Sequence, residues 1–302
     1  MNAESNAVPG LPLEERGAPA RMAATHPFLW SVRRELWEYK SLYLAPLAVA
    51  GVTLLGYLFA SMGYALSSQD MARRRSALTE PLHFAMALIM GAAFFAGLFY
   101  CLDTLHGERR DRSILFWKSL PVSDLITVLA KASIPFVVLP LLAYVITLGV
   151  HFIMLLLSTA VLAGSGLNTG TLWSEAWNSD VGLFYHLMTV HVLWYAPMYA
   201  WLLLVSGWAK RAAFLWAALP PLAIFAIERI AFHTKHFANL MQYRLMGPQG
   251  FDMGGTGSHG AHPMMHSGLG TFLLTPGLWN GLILAAIFLA AAVRLRRSQG
   301  PL

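Results

Sequence analysis

Six apolar blocks, each long enough to cross the hydrocarbon core of a lipid bilayer, leave this chain few folds to choose from. They fall at about 42–66, 82–105, 125–162, 181–208, 212–232 and 271–293. A helix rises about 1.5 Å per residue, so roughly 20 apolar residues cross a core about 30 Å thick. The composition agrees. The chain is 57% hydrophobic and only 12% charged, against about 25% charged in a soluble domain. The expectation is an all-α integral membrane fold that crosses the bilayer six times.

The block at 125–162 is too long for one crossing, because its 38 or so residues would reach nearly twice the core thickness. Lys131, Pro135 and Pro140 mark where it divides, so the crossing is predicted over 135–162. Neighbouring helices can satisfy carbonyls freed by an intramembrane proline. The positive-inside rule sets the orientation. With both ends cytosolic, the inside segments hold fifteen of the twenty-one Lys and Arg residues, while Arg73, Arg74 and Arg75 dissent from outside. Residues 1–26 read as a disordered cytosolic tail without a cleavable signal. Residues 27–293 read as one six-span domain and 294–302 as a second cytosolic tail. A cytosolic loop is predicted at 106–124 and an external loop at 233–270. The single cysteine, Cys101, excludes an intrachain disulfide.

Before the first span stands THPFLWSVRRELWEYK. At 100° per residue, Phe28, Leu29, Val32, Leu36 and Tyr39 share one helix face. Arg33, Arg34, Glu38 and Lys40 cover much of the rest, and Trp30 and Trp37 run along a flank. This pattern predicts a helix lying in the membrane interface, serving either as an anchor or in subunit docking.

Between the second and third blocks the chain reads GERRDRSILFWKSLPVSD, a dense mixed-sign charge cluster followed by a short amphipathic stretch. On a helical wheel Ile114, Phe116, Trp117 and Leu120 gather on one side, opposite Asp111, Arg112, Lys118 and Ser119. Two helical turns are marginal alone, so this helix needs a surface, either the membrane or a partner. Aromatic residues ringed by arginine also have the composition of an interaction hot spot.

The segment CLDTLHGERRDRSILFWKSLPVSD resembles the cytosolic loop between the second and third spans of type-2 ABC transporter permeases, the membrane subunits of exporters driven by a separate ATP-binding cassette protein. The likeness is specific over about 25 residues and architectural over the rest. It implies that this loop carries a coupling helix seated in a groove of the ATPase. Glu108, Arg109, Arg110, Asp111 and Arg112 would form the charged approach to the joint. Ile114, Phe116, Trp117 and Leu120 would form its buried face, closed by Pro121. It further implies two ATPase copies, a second permease chain as homo- or heterodimer, and a bacterial-type inner membrane with its lipids. Nucleic acid has no part in it. The chain itself would then be no enzyme and hold no cofactor, with ATP and magnesium bound by the ATPase.

Other features bear on this expectation. GGTGSHG at 254–260 lacks the Lys-Ser/Thr pair of a phosphate-binding loop and reads as a linker. His259, His262 and His266 lie among methionines in the external loop and are weak metal candidates, since their spacing fixes no tetrahedral pattern. Residues 236–245 read as a short external helix that rests on the membrane or gates the exit. Trp194, Tyr195, Tyr199, Glu228 and Arg229 are candidates for a substrate path fitted to an amphipathic peptide, antibiotic, lipid or glycolipid. For Glu228 and Arg229 interface anchoring is the alternative. His151, His186 and His191 are ionisable groups within spans, which usually face a bundle interior or cavity. Two other readings stay open: a non-transporting scaffold that recruits an ATPase, and a haem- or lipid-processing membrane enzyme.

Overall fold

The structure is a computed structural model that describes residues 25–61, 63, 70–119, 122–162, 169–246 and 272–298. His259, His262, His266, Leu120 and Pro121 lie outside the described residues, which contain helices and no strand. Five helices are long and apolar enough to cross a membrane, or six if one bent pair counts as a single span.

Helix α1, Thr25–Glu38, is followed after two residues by α2, Ser41–Gly56, which a π-helical turn extends over Tyr57–Ser61. The 40-residue α3, Met71–Arg110, is longer than a bilayer core needs. It starts eleven residues before the predicted span at 82 and runs well into the predicted loop at 106–124. Arg112 then turns the chain in the left-handed region, with φ 58°, and α4 covers Ser113–Ser119.

Helix α5, Asp124–Ser133, opens on a side-chain cap, because the Ser123 hydroxyl accepts from the Ile126 N–H at 3.3 Å. Contrary to the sequence expectation, no division follows at Lys131, Pro135 or Pro140. A π-helical turn at Ile134–Val138 carries α5 into α6, Leu139–Leu162, and one apolar run covers Asp124–Ala160. The wider turn absorbs Pro135, whose missing N–H and ring would break an ordinary α-helix.

The predicted 181–208 span is the bent pair. Helix α7, Thr169–His186, with a π-helical turn over Leu187–Trp194, meets α8, Ala196–Trp208, at 51°. Tyr195 breaks the helix there with ψ near 0°, and Pro197 restarts it in the first turn. Helix α9, Ala213–Ile227, is entered through a left-handed Ala212, and a π-helical turn extends it over Glu228–Phe232. Helix α10, His236–Met246, and α11, Pro276–Ser298, complete the described chain.

The core joins α2, α3, α6 and α8 through Leu42, Ala85, Ile89, Met154 and Leu203, with Tyr57 hydrogen-bonded to Ser158. Ala196, Ala200 and Ala285 let α8 and α11 approach closely, as small residues do between membrane helices. Helix α9 stands at the edge, burying Ala213 and Ala217 while Phe214, Leu219, Leu222 and Ile227 point outward. An outward face this apolar suits lipid rather than water.

Candidate functional site

Where α1, α3, α5 and α11 meet, beneath the 107–124 segment, the chain buries a network of charges. Glu35 of α1 accepts from the Lys131 ammonium of α5 at 2.8 Å and from the hydroxyls of Tyr100 at 2.9 Å and Thr104 at 3.1 Å, both on α3. Lys131 also lies 3.1 Å from Glu108 and donates to the Thr104 hydroxyl at 2.7 Å. Glu108 accepts from Arg34 at 2.8 Å and, on its other oxygen, from Arg296 of α11. Arg296 in turn donates to Asp124 at 3.1 Å. Glu35 and Lys131 are each 1% exposed. Charges this deep persist only when paired and hydrogen-bonded, and here each is both.

Burial alone would raise the Glu35 carboxyl, but Lys131 and then Arg34 outweigh it and hold it below the ordinary carboxylate range. Conversely, Glu35 and Glu108 raise the Arg34 guanidinium against the opposite pull of burial. The arrangement is a multi-helix clamp of fixed charges. The described residues contain no group of three or more His, Cys, Asp or Glu able to hold a metal ion.

The clamp supports α4. The Arg34 guanidinium lies 3.8 Å above the Trp117 ring, and Trp117 meets Phe116 edge to face at 4.9 Å. Ile114 is buried, and the Ser113 hydroxyl donates to the Glu108 carbonyl at 3.3 Å. On the far side Arg109 donates to the Gly207 carbonyl at 2.7 Å, and the Ser206 hydroxyl accepts from the N–H groups of Leu105 and His106, tying α3 to the end of α8.

This geometry redistributes the roles drawn from the sequence. Glu108 and Arg109, expected at a charged approach to a partner, are buried against the chain's own helices. Arg110 and Asp111 form an exposed pair at 3.0 Å, and Arg112 is exposed at the turn. The wheel placed Ile114, Phe116, Trp117 and Leu120 together. In the structure Ile114 turns inward and Trp117 packs under Arg34, while Leu115 and Phe116 stand about 60% exposed. Sequence reasoning missed Glu35, Asp124 and Arg296, and took Lys131 only as a break. One signal was present: Glu35 lies three residues after Val32 and four before Tyr39, so an acid sits on the apolar face of α1.

Of the five residues expected along a substrate path, Trp194, Tyr195 and Tyr199 lie together at the bend between α7 and α8, and Glu228 and Arg229 do not join them. Trp194 is fully buried and donates to the Arg244 carbonyl of α10 at 2.9 Å, and Tyr195 donates to the Leu245 carbonyl at 3.1 Å. Tyr199 is hydrogen-bonded to His191 at 3.1 Å, with the Phe94 ring against both. Arg244 stacks 4.5 Å over Trp194 and donates to the Gly277 carbonyl. Glu228 instead accepts from the Phe237 N–H at 2.8 Å and the Thr234 hydroxyl at 2.9 Å near the start of α10. Arg229 is exposed. Separately, His151 bridges Asp180 at 2.6 Å and the Leu82 carbonyl at 3.0 Å, beside a cavity of about 240 Å³ that also meets His83 and Glu175.

Comparison of the chain with protein families, curated proteins and solved structures gives no match.

Proposed function

We propose that this chain is the membrane subunit of an ATP-driven exporter, and that α4 is the helix on which a separate ATP-binding cassette protein docks. The observation that carries this reading is the base under α4. A short helix displaying Leu115 and Phe116 stands on a clamp that ties α1, α3, α5 and α11 together, with α3 tied onward to α8. A push at α4 would reach all five helices, because parting the clamp would leave the buried Glu35 and Glu108 carboxylates short of partners. Closure of the ATPase pair on ATP would supply the push. It shifts the span arrangement only by the difference in its affinity for the two states.

In this account the chain spans a bacterial-type inner membrane six times, with α1 at the interface and both termini cytosolic. It pairs with a second permease chain above two ATPase subunits. ATP and magnesium stay on the ATPase, so this chain does no covalent chemistry. The cargo is amphipathic, passing the aromatic cluster of Trp194, Tyr195 and Tyr199 at the α7–α8 bend and leaving past α10.

The test is affinity purification from native membranes of wild type and of Leu115→Ala/Phe116→Ala. An ATP-binding cassette protein identified by mass spectrometry, with ATP hydrolysis in the eluate, is expected with wild type and lost with the double variant at equal membrane insertion. An unchanged yield of that protein would overturn the docking assignment. Its retention without ATP-dependent cargo movement in reconstituted vesicles would favour a scaffold instead.

A further inference from the structure

The two long sides of α1 are used differently. One side carries Arg34, Glu35 and Glu38, whose charges meet one another or the clamp. The other carries Leu29, Trp30, Arg33 and Trp37, and the three apolar members are each more than 60% exposed. The Arg33 guanidinium lies over both indoles, 5.4 Å from the centre of Trp30 and 4.8 Å from that of Trp37. Among the described residues Arg33 makes no ion pair. The acids of α1 are turned away from it and neutralised by Arg34 and Lys131. Exposed Lys40 lies at the same end of the helix as Trp37.

Placement follows from chain continuity. Only two residues separate the end of α1 at Glu38 from Ser41, where an apolar run long enough to cross a membrane begins. A helix tethered so tightly to the mouth of a span lies at the level of lipid headgroups, where tryptophan is favoured. A guanidinium stacked on indole keeps its N–H fork at the edge of the stack, and that fork matches two oxygens of a phosphate. Apolar neighbours with unneutralised positive charge favour an anionic lipid over a zwitterionic one.

We propose that the Trp30–Arg33–Trp37 ridge of α1 is a binding site for the phosphate of an anionic phospholipid, in the leaflet on the side of the charge clamp. The site depends on α1 lying at a membrane surface and is independent of the docking assigned to α4. A bound lipid there would hold α1 against the membrane from outside while Glu35 and Arg34 hold it from within.

The full chain, purified in detergent, is titrated with phosphatidylglycerol or phosphatidylcholine of matched acyl chains, and retained lipid is read by native mass spectrometry. Wild type is expected to prefer phosphatidylglycerol. Arg33→Gln should weaken phosphatidylglycerol retention about fivefold while leaving phosphatidylcholine unchanged. Trp30→Leu/Trp37→Leu should lower retention of both lipids, and excess inorganic phosphate should displace neither. An undiminished preference in Arg33→Gln would overturn the proposal. So would displacement by inorganic phosphate, which would make the ridge a site for free anions. Loss of a co-purifying protein from Arg33→Gln with lipid retention intact would assign the ridge to a protein partner and overturn it equally.

Discussion

Replacing Lys131 by methionine removes the central cation of the clamp and little of its volume. At an effective dielectric constant of about 20, its attraction for Glu35 at 2.8 Å is about 6 kcal/mol, and for Glu108 at 3.1 Å about 5 kcal/mol. Desolvation of the ammonium offsets several kcal/mol of that sum. The loss expected from taking the shared cation away from two buried carboxylates, which keep their arginine partners, is therefore about 3 kcal/mol, the low end for breaking a buried pair, or about two powers of ten in the folded-to-unfolded ratio. Lys131→Met/Glu35→Gln should recover part of this loss, since Glu108 keeps Arg34 and Arg296 and no acid is left bare at position 35. The assay is denaturant unfolding in detergent micelles, followed by tryptophan fluorescence, on wild type, both single variants and the double. A cost for Lys131→Met within about 0.5 kcal/mol, the range of a surface change, would refute the clamp. So would a double variant no more stable than Lys131→Met alone.

Two further outcomes follow from the same geometry. The folded Glu35 carboxyl titrates below its ordinary value of 4.5, so its contribution is complete above that value and is lost as pH falls through the folded one. The stability gap between wild type and Glu35→Gln should therefore narrow as pH is lowered from 6 to 3, and a constant gap would contradict the assignment. At the other end of the bundle, a Cβ at Gly281 would run into the Arg244 guanidinium. Arg244→Ala should loosen α10 by about 2 kcal/mol and speed its amide exchange, and Gly281→Ala, which only displaces the end of that side chain, should do so less; unaltered exchange in Arg244→Ala would contradict this.

How much of this was legible in the sequence depends on the range of the interaction that fixes each feature. The apolar runs are local, and α2, α9 and α11 start within about five residues of the predicted starts at 42, 212 and 271. Pro135 was read by the rule for an ordinary α-helix and misled, because a π-helical turn gives the ring room. The face of α4 misled for a related reason. A wheel gives the relative positions of side chains, not which of them the rest of the chain will cover, and Arg34, 83 residues before Trp117, covers that ring. The clamp is the extreme case, since Glu35 meets Lys131 across 96 residues and Glu108 meets Arg296 across 188. No periodicity encodes such pairings. What the sequence does contain is their cost: an acid on the apolar face of α1 and a lysine inside an apolar block both require partners.

Surface labelling at position 116 tests the central claim most directly. The only native cysteine, Cys101, is fully buried, so Phe116→Cys places one accessible thiol on α4. With a membrane-impermeant maleimide, the account predicts no labelling of intact cells and fast labelling of inside-out vesicles. That labelling should slow when the co-purifying ATP-binding cassette protein is added back. Labelling from outside intact cells, or a rate in vesicles indifferent to that protein, would contradict it.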